Sequence, residues 1–159
     1  AVTLLERSNV DFELNVGGGW TDEAFRIQME KRLRDSSLSE KVNFKGFVKG
    51  ENKKILIENS DCLLLLSQAE GMSMSLLECM NAGVVAICSD IETHNELISS
   101  QSELETFSLK NIESIADKLI AYSSSREKMI EDGEKCRKIA SQYSLDNHLL
   151  RCIAIIKKT

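Results

Sequence analysis

The fold of this chain is decided by residues 62–78, which read CLLLLSQAEGMSMSLLE. The uninterrupted apolar run 62–66 is typical of a short strand that is buried on both faces. A polar loop follows it, and from about Ser73 the apolar residues return at helical spacing, which predicts a helix to Met80. A buried strand that leads through a short loop into a helix is the building unit of an α/β fold with a parallel sheet.

The same alternation extends in both directions along the chain. Upstream, the sequence predicts two strands and two helices, at residues 12–16, 21–34, 42–44 and around 55–56. Downstream, it predicts a strand at 84–88, a helix at 93–98, a last strand at 104–109 and three further helices up to Lys157. We therefore expect a Rossmann-like, doubly wound parallel sheet with helices on both faces, in one domain of residues 1–159.

Composition limits the classes of function. The 159 residues are 42% apolar and 28% charged, which allows a real core and argues against intrinsic disorder. The net charge of −5 argues against a basic surface for nucleic acid. No apolar run approaches the roughly 20 residues that span a bilayer. None of the five cysteines lies in a C-x-x-C pair, which predicts buried free thiols and a reducing, cytoplasmic compartment. The two histidines are isolated, so no metal site is expected.

Ligands of such sheets bind where the strands end, which directs attention first to the glycine-rich turn after residue 16. Gly17 and Gly18 would let backbone amides approach a phosphate, and a helix follows. The third glycine of a dinucleotide fingerprint is absent, because Asp22 stands at that position and would repel a pyrophosphate. An ordinary tight turn explains this segment equally well.

The loop after residues 62–66 is richer in chemistry. Glu70 and Gly71 precede a helix start near Ser73, whose backbone N–H groups and dipole favour a phosphate. Glu70 and Glu78 can face one crevice and accept hydrogen bonds from sugar or ribose hydroxyls. Three alternatives stay open. Ser75 and Glu78 match a capping box, Glu70 can be a solvated loop acid, and the two carboxylates can be a general acid and base for glycoside hydrolysis.

Several motifs together resemble one known family. Glu70 and Glu78 form an E-x7-E motif that continues as Leu-Leu-Glu-x-Met-x-Ala-Gly, and residues 60–90 resemble the donor-site core of retaining glycosyltransferases of family four, which have the GT-B fold. Four further segments resemble that family in the same order, namely 12–19, 42–48 (V-x-F-x-G-x-V), 90–98 (D-x-G-G-x-x-E-L-I) and Tyr143-Ser144. The resemblance implies that this chain is the C-terminal, donor-binding half of such an enzyme.

The resemblance also implies roles for individual residues. Glu70 would bind hydroxyls of the transferred sugar at the catalytic centre, and Glu78 would bind the ribose. The remaining residues implied in donor binding are Ser73, Met74, Ser75 and Gly71 around the phosphates, Phe47 and Val48 beside the base, and Gly17 and Gly18 in the turn. Phe47 and Val48 have a plain alternative as packing at a strand end. Glu96 would lie beside the site, and its alternative is to complete a Thr93–Glu96 capping box.

The activity implied is that of a hexosyltransferase. It would transfer a sugar from a UDP- or GDP-linked donor to a glycan or lipid-linked acceptor, with retained anomeric configuration, in surface polysaccharide biosynthesis. No metal or other cofactor is implied, because protein groups stabilise the departing diphosphate. The acceptor would bind to an N-terminal domain that lies outside this sequence. The protein would be cytoplasmic and attach peripherally to the membrane through that domain.

The sequence also departs from the family pattern. Met72-Ser73 stands where Phe-Gly or Phe-Pro is common, and Glu92-Thr93 replaces Gly-Gly. The family's central upstream strand and its basic Arg and Lys have no counterpart, so we expect a fragment that is inactive by itself. A non-catalytic sugar-nucleotide-binding or scaffold module is therefore the alternative function. A phospho-receiver domain is rejected, because Asp61 precedes its strand instead of following it.

Overall fold

The structure is a computed structural model that describes residues 2–98, 104–144 and 146–147. The chain divides into two compact units, which we call unit 1 (Ala1–Leu56) and unit 2 (Ile57–Thr159). In each unit parallel strands alternate with helices, so the predicted α/β class is confirmed.

Unit 1 is built around one pair of parallel strands. Its elements are α1 (Val2–Arg7), β1 (Leu14–Gly17), α2 (Glu23–Arg34), β2 (Val42–Gly46) and α3 (Gly50–Glu58), which runs two residues past the boundary. Leu14 lies opposite Val42 and Val16 opposite Phe44, and a register shift after Val16 places Gly17 opposite Gly46. The carboxyl ends of both strands therefore carry glycine.

Unit 2 holds the two longest helices among the described residues, together with the core cluster. Its elements are β3 (Cys62–Leu65), α4 (Met74–Asn81), β4 (Val85–Cys88), α5 (Glu92–Ile98), α6 (Ile112–Ser124) and α7 (Arg126–Ser141). β3 and β4 pair in parallel, with Cys62 opposite Val85. Every residue of β4 is buried, as expected for a strand covered on both faces. The core cluster includes Leu76, Met80, Ala86, Cys88, Ile98, Cys136 and Ile139.

The end of α4 determines how α7 packs against it. Gly83 has a φ of 79°, its N–H donates to Met80 O, and the N–H of Val84 donates to Cys79 O. These are the two hydrogen bonds of a Schellman motif, which needs a left-handed residue and so favours glycine. Gly133 of α7 lies so close that a Cβ there would sit 2.3 Å from Gly83 O. Two glycines thus bring the turn and the helix into direct backbone contact.

Three expectations about the fold need correction or fall outside the described residues. The prediction of a strand at 104–109 is wrong, because within this segment only Phe107 pairs, in a single bridge with Ser89. The single continuous sheet is also not observed, since the described strands form two separate parallel pairs, β1 with β2 and β3 with β4. The predicted helix that reaches Lys157 lies outside the described residues.

Within the described residues, no helix combines the length and apolarity needed to cross a membrane.

Candidate functional site

The loop between β3 and α4 holds the first predicted carboxylate in a defined position. Glu70 is half-buried, and the hydroxyl of Ser67 donates to its Oε1 over 2.7 Å. Because β3 ends at Leu65 and α4 begins at Met74, Glu70 lies between the carboxyl end of a parallel strand and the start of a helix. This is the end of an α/β sheet at which ligands bind.

A buried polar network fixes the base of this loop. The hydroxyl of Ser89 donates to Ser67 O over 2.5 Å, and the N–H of Ser89 donates to Leu65 O. His94 Nδ1 lies 2.9 Å from Ser89 O, so this nitrogen carries the hydrogen, because a carbonyl can only accept. Ser89 and His94 are buried, and His94 Nε2 has no hydrogen-bond partner among the described residues.

Sequence reasoning missed this network. Ser67 was not singled out, although a serine directly after an apolar strand and three residues before an acid is a recognisable signal. The contact between Ser67 and Ser89 joins residues 22 apart in sequence, and the local pattern carries no sign of it. From the sequence, His94 is only one of two isolated histidines without metal-ligand spacing.

The second predicted carboxylate, Glu78, lies on an exposed part of α4, at its fifth residue. The capping-box interpretation of Ser75 and Glu78 is wrong, because the N-cap of α4 is Ser73. A capping box would need its acid at the third helical position, which is Leu76. Helix capping therefore does not explain Glu78.

The N-terminus of α4 differs from the other long helices of this chain. Its first turn contains no acidic residue, whereas α2, α6 and α7 begin with Glu23, Glu113 and Glu127 respectively in their first turns. Ser73 is buried, and its side chain makes no capping hydrogen bond. The positive end of the helix dipole is thus not neutralised by its own residues. The N–H of Met74 donates to Met72 O over 3.0 Å, a bond that a bound phosphate would replace.

The predicted site residues of unit 1 also lie together. Gly18, with a φ of 133°, donates its N–H to Gly46 O over 2.8 Å, at the carboxyl end of β1 and β2. A Cβ at Gly17 would be 3.9 Å from Val48 Cγ2, so Val48 packs beside the turn. Phe47 is 74% exposed, so its interpretation as strand-end packing is wrong.

The start of α2 is already occupied by a carboxylate. Asp22 is the N-cap, and its side chain accepts from the N–H of Phe25 over 3.0 Å. A phosphate at this helix end would have to displace Asp22 as well as overcome its charge. Of the two helix starts that follow a predicted binding loop, that of α4 is the more suitable for an anion.

The start of α5 corrects a further expectation. The Thr93–Glu96 capping box is wrong, because α5 begins at Glu92 and Thr93 already lies inside the helix. Thr93 Oγ1 is buried without a hydrogen-bond partner among the described residues, and Glu96 is exposed. Neither residue therefore closes the helix end.

Among the residues that the structure describes, no thiol or metal chemistry is evident at the site. Cys79, Cys88 and Cys136 are buried free thiols, and Cys62 is half-buried. Burial raises the pKa of Cys62 and of Cys88 to about 12, so both stay protonated and unreactive at neutral pH. Across residues 2–98, 104–144 and 146–147 no three His, Cys, Asp or Glu side chains cluster as metal ligands would. Cys152 lies outside the described residues.

Comparisons with known structures define the class of fold. The chain superposes on a chain from "Crystal structure of GtfA/B complex" with a TM-score of 0.82 and 15% identity, covering 99% of this chain and 31% of that one. It superposes on "Crystal Structure of TarM" with a TM-score of 0.78 and 21% identity, covering 96% and 30%. The fold is thus the α/β fold of GT-B glycosyltransferases, as predicted.

The sequence comparison defines the family. The family model described as "Glycosyl transferases group 1" matches residues 1–142, and this chain belongs to that family. "Uncharacterized glycosyltransferase MJ1607" of Methanocaldococcus jannaschii is 26% identical over 157 residues, which are 97% of this chain and 38% of that protein. The chain therefore spans well under half the length of these relatives.

Proposed function

We propose that this chain is the donor-binding domain of a retaining glycosyltransferase that uses a UDP- or GDP-linked sugar. The observation that carries the proposal is the acid-free start of α4, which lies between Glu70 and Glu78 in the sequence. Family membership supports sugar transfer in general. The carboxylates and the helix start supply the three kinds of contact that a nucleotide sugar requires: to the sugar, the phosphates and the ribose.

The phosphates, the ribose and the transferred sugar each have a matching group in unit 2. Backbone N–H groups of Ser73, Met74 and Ser75, beside Gly71, would hold the distal phosphate at the positive end of the α4 dipole. Glu78 would accept hydrogen bonds from the ribose hydroxyls, and Glu70 from hydroxyls of the transferred sugar. Since carboxylates are strong acceptors, both would contribute to orienting the donor.

Taken by itself, unit 1 presents groups of the kinds that contact a base and a phosphate. Phe47 offers an exposed aromatic ring on which a base can stack, and Lys49 Nζ already lies 4.8 Å from the centre of that ring. Val48 would flank the base from its position beside Gly17. Gly17 and Gly18 would allow close approach of the backbone to the donor.

The reaction would be a sugar transfer without a covalent change to the protein. The bond between the anomeric carbon and the diphosphate oxygen breaks, and the nucleoside diphosphate leaves with the electron pair. An acceptor hydroxyl forms the new bond on the same face of the sugar, and its proton passes to the departing diphosphate or to solvent. The helix start at α4 would stabilise the charge that develops on the leaving group, so no metal is required.

The wider context belongs to the same proposal. Residues 1–159 would form the C-terminal half of the enzyme, with the acceptor, a glycan or lipid-linked sugar, bound by an N-terminal domain. The strand and the basic pair that the family resemblance implies would also come from outside this sequence. Hexosyl transfer in surface polysaccharide biosynthesis, at the cytoplasmic face of the membrane, is the setting that we propose.

Calorimetric titration of the full-length protein with UDP, GDP and their hexose conjugates tests the proposal. We expect one nucleoside diphosphate to bind, and Glu78→Ala to weaken that binding about 10- to 100-fold, as loss of a charged hydrogen-bonding group does. Glu113→Ala is the matched control, because Glu113 is also an exposed helical glutamate but lies in the first turn of α6. That control should leave the affinity unchanged.

Two results would contradict the proposal in different ways. Absence of binding by the full-length protein to every nucleotide and nucleotide sugar tried would reject a donor site altogether. Binding without any transfer or hydrolysis of the sugar would instead favour the non-catalytic module, to which the altered segments Met72-Ser73 and Glu92-Thr93 also point. Cleavage of a glycoside without a nucleotide would favour the acid–base interpretation of the two carboxylates.

A further inference from the structure

We infer that Ser67 is a positioning residue that orients the carboxylate of Glu70 towards the donor sugar, an inference that rests on the proposed function. Its hydroxyl donates to Glu70 Oε1 over 2.7 Å, in a loop that both residues share. A carboxylate held at one oxygen keeps the other oxygen available for a sugar hydroxyl in a fixed direction. Ser67 itself would not contact the sugar.

The physical reason lies in the mobility of a glutamate side chain. Glu70 is half-buried in a loop, and a free glutamate would lose considerable rotamer entropy when it binds a ligand. A hydrogen bond from a hydroxyl to a charged oxygen is stronger than one between neutral groups. Ser67 therefore places the carboxylate before the donor arrives, and less freedom is lost upon binding.

Ser67 can hold Glu70 only if Ser67 is itself held, and the buried network provides that support. The hydroxyl of Ser89 donates to Ser67 O, and His94 Nδ1 donates to Ser89 O. Ser89 is 1% exposed and His94 is completely buried. The chain of contacts thus runs from α5, through the end of β4 and the end of β3, to the carboxylate of Glu70.

Neighbouring backbone bonds strengthen the same support. Ser89 N–H donates to Leu65 O, which continues the pairing of β3 with β4 by one residue. Phe107 N–H donates to Cys88 O, and Asp90 N–H donates to Phe107 O, so the segment around Ser89 is bonded on both sides. The position of the Ser67 carbonyl is therefore determined by the sheet and not by the loop alone.

The test compares two ligands in the full-length enzyme, because Glu70 would contact the sugar but not the nucleotide. Ser67→Ala should lower kcat/KM for the nucleotide sugar about tenfold, as loss of a hydrogen bond to a charged group does. The affinity for the nucleoside diphosphate alone should stay within about twofold, since Glu78 and α4 would bind that part. Ser67→Thr keeps the hydroxyl and should restore kcat/KM to within about threefold of the wild type.

The matched control is Ser123→Ala. The hydroxyl of Ser123 donates to Ile120 O within α6, so the substitution removes one local hydroxyl hydrogen bond and leaves the Glu70 loop intact. The kcat/KM for the nucleotide sugar and the affinity for the nucleoside diphosphate should both be unchanged. If Ser67→Ala does not fold, Ser67→Cys provides the same comparison with a side chain of similar shape and a weak donor.

Three outcomes would overturn the inference, and one would overturn only the proposed function. Equal losses for the nucleotide sugar and the nucleoside diphosphate would show a general collapse of the loop. No loss for either ligand would show that the hydroxyl has no role. A crystal structure of Ser67→Ala with Glu70 unmoved would also reject positioning. If the wild-type enzyme binds no nucleotide sugar, the proposed function fails, and that crystal structure alone decides whether Ser67 positions Glu70.

Discussion

Unit 1 and unit 2 share one plan, a pair of parallel strands flanked by helices, but they bury their side chains very differently. In unit 2 every residue of β4 is buried, and α4, α5, α6 and α7 each contribute buried residues. In unit 1, among residues whose burial the structure describes, Leu5 is the only buried apolar side chain. Phe25 and Ile27 on α2 remain about half exposed, with 50% and 52% of their surface accessible.

Different kinds of interaction therefore stabilise the folded structure within each unit. Unit 1 shows mainly short-range, exposed contacts, such as the Asp22 cap and the ion pair of Arg26 with Glu23. Exposed ion pairs of this type contribute little to folding free energy. Unit 2 depends on close packing and on buried polar groups, where single substitutions cost more. Substitutions of the same chemical kind should therefore have larger effects in unit 2 than in unit 1.

The largest effect is expected for Gly133→Ala in α7. The new Cβ would lie 2.3 Å from Gly83 O, and a backbone atom cannot move aside as the end of a side chain can. We expect the free energy of unfolding to fall by about 3 kcal/mol or more, beyond the small gain in helix propensity. Urea unfolding of the 159-residue chain, followed by circular dichroism, measures this difference.

Gly19→Ala in unit 1 is the control for that substitution. No atom lies within 4 Å of the position of its Cβ, so the stability should change by less than about 0.5 kcal/mol. A comparable loss in both variants would contradict the contrast between the units. It would show that the backbone contact between Gly133 and Gly83 carries no special cost.

The next largest effect is expected for Asp132→Ala, which removes a buried carboxylate that joins α6 to α7. The side chain of Asp132 is 3% exposed and accepts from Tyr122 Oη over 2.9 Å. It also lies 3.1 Å from Lys128 Nζ and 3.3 Å from Lys135 Nζ. Loss of the acceptor leaves the Tyr122 hydroxyl buried without its partner. We expect the unfolding free energy to fall by about 2 kcal/mol at neutral pH.

The effect of Asp132→Ala should depend on pH. Burial opposes ionisation, but the hydrogen bonds from Lys128, Tyr122 and Lys135 outweigh it, so the pKa of Asp132 lies below its ordinary value. Its stabilising contribution is therefore complete above about pH 4, the unfolded value, and disappears as the pH falls through the lower folded pKa. Unfolding curves across that range should show the wild type and the variant converging in acid.

Glu131→Gln is the neighbouring control for Asp132. Glu131 also pairs with Lys128 and Lys135, but it is exposed. Its substitution should leave the stability almost unchanged, because solvent screens such pairs. Equal losses for Glu131 and Asp132 would show that charge, and not burial, gives this cluster its importance.

Much of the fold could be predicted from local pattern, since the run 62–66 does contain a strand, β3 (Cys62–Leu65). The predicted burial on both faces is wrong, because the residues of β3 are only half-buried and Leu66 is exposed. Strand pairing could not be predicted, because it joins segments that are distant in sequence. Leu104, Phe107 and Leu109 make residues 104–109 apolar enough for a strand, yet only Phe107 pairs with a neighbour. The described strands pair as β1 with β2 and β3 with β4, and which strands pair is not encoded within any one of them.

The residue types of the candidate site are a prediction from the sequence, whereas its local geometry could not be predicted. The pattern of a serine or threonine followed three residues later by an acid suggested caps at Ser75 and Thr93, and both were wrong. Each helix starts earlier than that pattern implies, because the preceding loop determines where helical backbone begins. The Ser67–Glu70 contact lay within reach of sequence reasoning, whereas its support by Ser89 depended on the pairing of β3 with β4.

The smallest effects are expected at helix caps, and they sharpen the comparison at the site itself. Asp22→Ala in unit 1 and Asn111→Ala in unit 2 each remove a side chain that accepts from a backbone N–H of the first turn. Each should cost about 1 kcal/mol of unfolding free energy. Ser73→Ala should cost less than about 0.5 kcal/mol, because Ser73 makes no capping bond at the start of α4.

Thermal and urea unfolding of these three variants also tests the anion site that we propose. If Ser73→Ala costs as much as Asp22→Ala, the Ser73 hydroxyl caps α4 in solution, and a phosphate would have to displace it. The other possible result is that Ser73→Ala is neutral while Asp22→Ala and Asn111→Ala lower the stability. Of these three helix starts, only that of α4 would then lack a capping hydrogen bond from its own N-cap residue. That result favours α4, and not α2, as the place where the diphosphate binds, since Asp22 already neutralises the start of α2.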